Sequence, residues 1–121
     1  KLVAREDLRE PKIADLIGLD DADFRALFSG SPVKRIGRDR FIRNVLIAAG
    51  NSGEGALAPQ VKMLLGDPSP LVRGAAVWAL SRLLPTTNFE AETRDMMLRE
   101  TDDEVLAEFA ALDRSQSEAL Q

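Results

Sequence analysis

An all-α fold, a superhelix built as a short solenoid of antiparallel helix pairs, is what this sequence predicts, and three observations predict it. Apolar residues recur at three- and four-residue spacings along the chain, the period of a helix with one buried face. No alternating stretch of Val, Ile, Thr and aromatics lies between hairpin turns, so strands are not expected. The helices also repeat: Arg43-Asn44-Val45-Leu46-Ile47-Ala48-Ala49 lies over Arg73-Gly74-Ala75-Ala76-Val77-Trp78-Ala79 at an offset of 30, and Val72 lies over Val105 at an offset of 33. Self-similarity at that period marks stacked helical repeats.

Taken in order, seven helical segments are expected. Pro11 opens a short one over 11–17 that Gly18 closes, and Asp20 caps a second through Phe24, Leu27 and Phe28, ended by Gly30. Ser31-Pro32 reads as N-cap and first helical position of the next start, and Gly37 breaks the chain before the run from Arg38 to Ala49. Gly50-Asn51-Ser52-Gly53 reads as a turn, Ala56 to Leu65 as a helix, and Gly66-Asp67-Pro68-Ser69-Pro70 as a tight corner. Leu71 to Leu84, stopped by Pro85, then Asn88 to Glu100 and Asp103 to Leu112 complete the set, with a frayed tail from Ser115. The 121 residues make one domain, with a lead-in over 1–19, helix pairs over 20–50, 55–84 and 88–113, and a tail over 114–121.

Composition narrows the chemistry. The chain has no Cys and no His, which removes thiolate and imidazole nucleophiles, disulfides, cluster ligation and nearly every zinc site. Only carboxylates and hydroxyls remain, and no nucleophile or metal set is visible, so this chain by itself is expected not to be an enzyme and to hold no cofactor. The paired acids Asp20-Asp21 and Asp102-Asp103 stand at helix starts, where acids cap amides. Gly50 to Gly55 lacks the lysine and the preceding strand of a phosphate-binding loop. No apolar run nears the ~20 residues of a membrane span, no signal segment is visible, and the absence of Cys is compatible with a reducing cytosol. A start at Lys1 without Met suggests a domain cut from a longer protein.

Charge is unevenly spread. Residues 1–30 carry five basic and seven acidic groups, residues 31–82 eight and three, and residues 83–121 three and ten. A basic middle beside an acidic end argues against a generally basic nucleic-acid binder and directs attention to the middle. Between Lys34 and Arg43 stand Lys34, Arg35, Arg38, Arg40 and Arg43 against the single acid Asp39. On a helix begun at Arg38, Arg40, Arg43, Asn44 and Ile47 share one arc, opposite an apolar arc of Phe41, Ile42, Val45, Leu46 and Ala49. Guanidiniums a turn apart suit the phosphates of a nucleic-acid backbone; solvated charge, or pairing with acids of residues 20–23, is the plain alternative. Arg38 phases toward the apolar arc and is expected at a helix end, satisfied by carbonyls. Trp78 is expected to plug a gap between repeats, with a stacking platform as the alternative.

The unit from Asp67-Pro68-Ser69-Pro70-Leu71-Val72-Arg73 through Ala79-Leu80 resembles the HEAT-repeat pattern: a corner with Asp and Pro, then Val-Arg, then small residues, then Ala-Leu. Pro fixes the corner and the alanines let helices approach. Asp67 and Arg73 are read as structural, with Arg73 bonding corner carbonyls or Asp67. The stretch Gly30-Ser31-Pro32-Val33-Lys34-Arg35-Ile36-Gly37-Arg38-Asp39-Arg40-Phe41-Ile42-Arg43-Asn44-Val45-Leu46-Ile47-Ala48-Ala49-Gly50-Asn51 resembles the C-terminal region of bacterial epoxyqueuosine reductases, cobalamin-dependent iron–sulfur enzymes of queuosine biosynthesis. The likeness reaches back through Leu2-Val3-Ala4-Arg5-Glu6 and Leu19 to Phe28, and forward to Leu84. It implies a cytoplasmic parent oxidoreductase whose upstream catalytic half holds cobalamin and two four-iron clusters. It also implies a HEAT-like accessory part that packs on that half and grips the anticodon stem-loop of tRNA through Lys34, Arg35, Arg40 and Arg43. The alternative is a module that docks on a partner domain by the same run without touching nucleic acid.

Overall fold

In the computed structural model, which describes residues 12–120, every regular element is helical. Seven α-helices follow one another among the described residues: α1 (Ile13–Leu16), α2 (Asp21–Leu27), α3 (Gly37–Ser52), α4 (Ala58–Met63), α5 (Pro70–Leu83), α6 (Thr86–Arg99) and α7 (Asp103–Leu120). Single 3₁₀ turns over Pro32–Ile36, Gly55–Leu57 and Leu64–Gly66 bracket α3 and α4. Residues 1–11, which include Pro11 and the stretch Leu2 to Glu6, lie outside the described part.

The helix starts follow their capping side chains. Asp23 N–H donates to the Asp20 carboxylate at 2.8 Å, Val33 N–H to Ser31 Oγ at 3.2 Å, and Val105 N–H to Asp102 Oδ1 at 3.1 Å. Each such bond occupies an amide that the first turn leaves without a partner. Gly37 takes φ +83°, a left-handed conformation that other residues rarely adopt, and this kink separates the 3₁₀ turn from α3.

Two layers result. α3, α5 and α7 stack in order, and α5 packs against both of its neighbours. The second layer places α1 against α3, and α4 and α6 against α5. Gln60 Nε2 of α4 donates to the Ala14 carbonyl of α1 at 2.9 Å, and Lys62 of α4 pairs with Glu92 of α6. The core between the layers is one continuous cluster, with Ile42, Leu46, Val61, Val72, Val77, Leu80 and Val105 all nearly sealed from solvent. Burying each such side chain stabilises the fold by about 1.5–3 kcal/mol.

Several boundaries differ from the sequence expectation. Gly50 does not turn the chain: α3 runs through it to Ser52, and the left-handed residue is Gly53, at φ +71°. The reason is packing, because a Cβ on Gly50 would stand 2.5 Å from the Trp78 ring and 3.2 Å from Ala79 Cα. Glycine therefore sits where the α3 backbone lies close against Trp78 and Ala79 of α5. The segment expected as one helix over 56–65 is a short α-helix flanked by 3₁₀ turns, with Pro59, which has no amide N–H to donate, in its first turn. α7 continues past Leu112 to Leu120, as nothing between them breaks a helix.

Candidate nucleic-acid interface

The basic run divides along the geometry of α3. Gly37 starts the helix in such a phase that Ile42, Val45, Leu46 and Ala49 enter the core, and Arg40 and Asn44 face solvent with Arg43 half-buried beside them. Lys34 and Arg35, on the preceding 3₁₀ turn, are exposed, and none of Lys34, Arg35, Arg40 or Arg43 forms an ion pair with another described residue. Arg43 Nε donates only to Asn44 Oδ1, at 3.0 Å. This segment is clamped from outside by α2, where Phe24, Phe28 and Phe41 form an aromatic triangle with ring centroids 4.9–5.4 Å apart. The cations thus stand on a fixed platform rather than a loose loop.

Arg38 behaves differently. Its side chain is 13% exposed, its Nε donates to the Leu19 carbonyl at 2.9 Å, and its other nitrogens reach both carboxylate oxygens of Asp67 at 2.8 and 3.1 Å. A further bond joins it to Asp39 at 3.1 Å. Asp67 holds the guanidinium above its ordinary pKa range, against the opposing effect of burial. Carbonyl contact was expected from the sequence; the carboxylate partner, which lies a whole repeat further along the chain, was not.

At the next corner, Arg73 Nη1 donates to the carbonyls of Asp67 and Pro68, both at 3.0 Å. Its Nε and Nη2 grip the two oxygens of Glu100, each at 2.9 Å. Arg73 holds the Glu100 carboxyl below its usual range, and the Asp102 and Thr101 amides add to the effect. Glu100 escaped sequence reasoning, although it stands one repeat after Asp67 and so occupies the same corner position. The Asp67 side chain turns to Arg38 and not to Arg73.

Alongside Arg43 runs a groove of about 400 Å³ across α3, α5 and α7. Ile47 shares the α3 wall with Arg43, and the α5 floor is a saddle over Gly74 and Ala75 between Leu71 and Trp78. Glu104 and Glu108 stand on the α7 wall with Val105 below them. Burial pushes the Glu108 carboxyl above its usual range. Trp78 serves as the plug at Gly50 and also lines this groove, with the Arg82 guanidinium 5.7 Å from its ring centre. Among the described residues no group of His, Cys, Asp and Glu could hold a metal ion, and no helix is long and apolar enough to cross a membrane.

Comparison with known proteins shows what this chain is similar to. A HEAT-repeat family model matches residues 57–87, which span α4, α5 and the corner between them. An epoxyqueuosine reductase from Alicycliphilus denitrificans is 37% identical over 87 residues, 65% of this chain and 24% of that protein. By sequence, the chain is related to the epoxyqueuosine reductases. A Bacillus anthracis epoxyqueuosine reductase extends the match to 84% of the chain at 29% identity, covering 27% of the relative. The chain therefore spans about a quarter of the length of the epoxyqueuosine reductases it matches. The fold is likewise shared with a solved epoxyqueuosine reductase, with TM-score 0.76 and 22% identity over 84% of this chain and 27% of the other. That structure holds an epoxyqueuosine-modified stem loop of tyrosine tRNA.

Proposed function

We propose that this chain is the HEAT-like accessory domain of an epoxyqueuosine reductase, and that Lys34, Arg35, Arg40 and Arg43 contact phosphates of the tRNA anticodon stem-loop presented for reduction. The observation that carries this reading is the division of one basic run: Arg38 turns inward to Asp67 and Leu19, whereas Lys34, Arg35 and Arg40 are exposed and Arg43 is half-buried beside them, on a platform braced by three phenylalanines. A grip of this kind is electrostatic and shape-based, because an A-form stem offers phosphates and 2′-hydroxyls before base edges. The stem-loop in the solved relative supports RNA as the partner.

Reduction itself would fall to the remainder of such a protein. This chain has neither the Cys that an iron–sulfur cluster requires nor any His, so the two clusters implied for the parent would find no ligands here. The domain's part is to hold the substrate in register. In the enzyme that contains this chain, Arg40→Ala with Arg43→Ala should raise KM for tRNA, leave kcat and cluster content intact, and lower the salt slope of binding by about two. Unchanged KM and salt dependence would remove the proposal.

One observation favours a second reading, in which the same run docks on a protein surface. Ile36, inside the run, is 42% exposed. Under that reading the double arginine variant destabilises the parent enzyme and leaves RNA affinity unchanged.

A further inference from the structure

The groove across α3, α5 and α7 is not needed to hold a paired stem. Its chemistry differs from that of the basic face, yet the two are continuous, since Arg43 belongs to both. We infer that this groove is a receptor for one unpaired nucleobase, with guanine the best fit, seated over Gly74 between Leu71 and Trp78 with its sugar-phosphate toward Arg43 and its Watson–Crick edge toward Glu104 and Glu108. This rests on the RNA-binding reading and adds a base-reading element to it.

Three features carry the inference. Leu71 and Trp78 stand two helical turns apart on α5, about 10 Å along the helix axis, and the residues between them on that face are Gly74 and Ala75. The result is a slot open to a flat ring, with an indole at one end; base-on-aromatic stacking tolerates any base and contributes substantially to binding. The walls then impose polarity. α3 offers a guanidinium, suited to phosphate, and α7 offers two carboxylates that form no ion pair with another described residue. Carboxylates repel phosphate but accept from base N–H groups. Guanine alone among the four common bases presents two adjacent donors, N1–H and the N2 amino group, on its pairing edge, matching the two oxygens of one carboxylate. A paired base has already used that edge, so the groove selects loop over stem.

A polypeptide with a lysine among apolar residues would meet the same walls. The shared Arg43 and the adjoining exposed cations favour RNA.

Trp78 is the single tryptophan of the chain, so its emission reports the groove directly. The test titrates the full chain with a short RNA stem-loop carrying a guanine in its loop, with the same stem-loop carrying uracil there, and with the blunt duplex of its stem. The guanine loop should quench Trp78 and bind more tightly than the uracil loop, and the duplex should bind without quenching. Gly74→Leu provides the variant, because a Cβ there meets only Val105, at 3.9 Å, so a side chain enters the groove without disturbing the core. It should abolish quenching and weaken stem-loop binding roughly tenfold, leaving duplex binding unchanged. Glu104→Gln with Glu108→Gln should erase the preference for guanine over uracil.

Stem-loop binding that leaves Trp78 emission unchanged and is indifferent to Gly74→Leu overturns the base receptor but not the phosphate grip. Failure of all three RNAs to bind overturns the grip reading itself. Quenching by a lysine-containing amphipathic peptide and not by RNA assigns the groove to a polypeptide and overturns the inference.

Discussion

The corner before α5 and the corner before α7 meet the same demand with different residues. Asp67 and Glu100 each stand just ahead of a helix start, and each accepts from the backbone amide two positions on, Ser69 N–H and Asp102 N–H, both at 3.0 Å. Each also receives a two-pronged arginine from the preceding helix of the same layer: Arg38 from the first turn of α3, and Arg73 from the first turn of α5. The step from Asp67 to Glu100 is slightly shorter than the step from Arg38 to Arg73. What repeats is therefore the pairing across the corner, and the longer Glu side chain accommodates the shift. A guanidinium fork buried against a carboxylate tethers successive helices and stops the corner from fraying.

The two corners should differ when broken. Arg38→Ala leaves Asp67, whose side chain is 6% exposed, without its cation and also frees the Leu19 carbonyl. About 3 kcal/mol should be lost, measured by urea unfolding. Glu100→Gln keeps the shape, and Arg73 retains two carbonyls, so about 2 kcal/mol is expected. A larger loss at Glu100 than at Arg38 would reverse the ranking. Because Arg73 depresses the folded-state pKa of Glu100, the contribution of this pair is fully present above the ordinary carboxylate pKa and is lost as pH falls through the depressed value. The acid limb of the stability profile should therefore flatten in Glu100→Gln. Glu108 has the opposite sign: its raised folded pKa means that stability falls as pH climbs from the ordinary value through the raised one.

Smaller effects test the seam and the surface. Gly50→Ala, which drives a methyl into Trp78, should cost about 1–2 kcal/mol and shift the Trp78 emission maximum. Lys34→Ala with Arg35→Ala should change unfolding free energy by less than about 0.5 kcal/mol, since both side chains are exposed. A larger loss would mean that these cations brace the fold.

Much of this was legible in the residues. Helical periodicity, Ser and Asp at helix starts, and Gly at sharp turns are local effects, acting within one turn of backbone. The outward placement of Arg40 and the inward phase of Arg38 follow from Gly37 and helical periodicity alone. The HEAT unit likewise announces itself through Asp67, Pro68 and Arg73. Where sequence reasoning went astray, the deciding contact was distant along the chain. Gly50 looked like a turn because nothing nearby says that Trp78, on the next helix of the same layer, will lie against it.

The sequence by itself determined that this chain is a stack of helices, and that Arg40 and Arg38 phase to opposite sides of α3. Only the tertiary structure decided which acid each buried arginine meets, and that Arg43, Trp78 and Glu108, from three helices, line one groove. The physical reason is range: backbone capping and amphipathic phase act between neighbours on adjoining chain, whereas ion pairs and grooves exist only after packing brings together groups from different repeats.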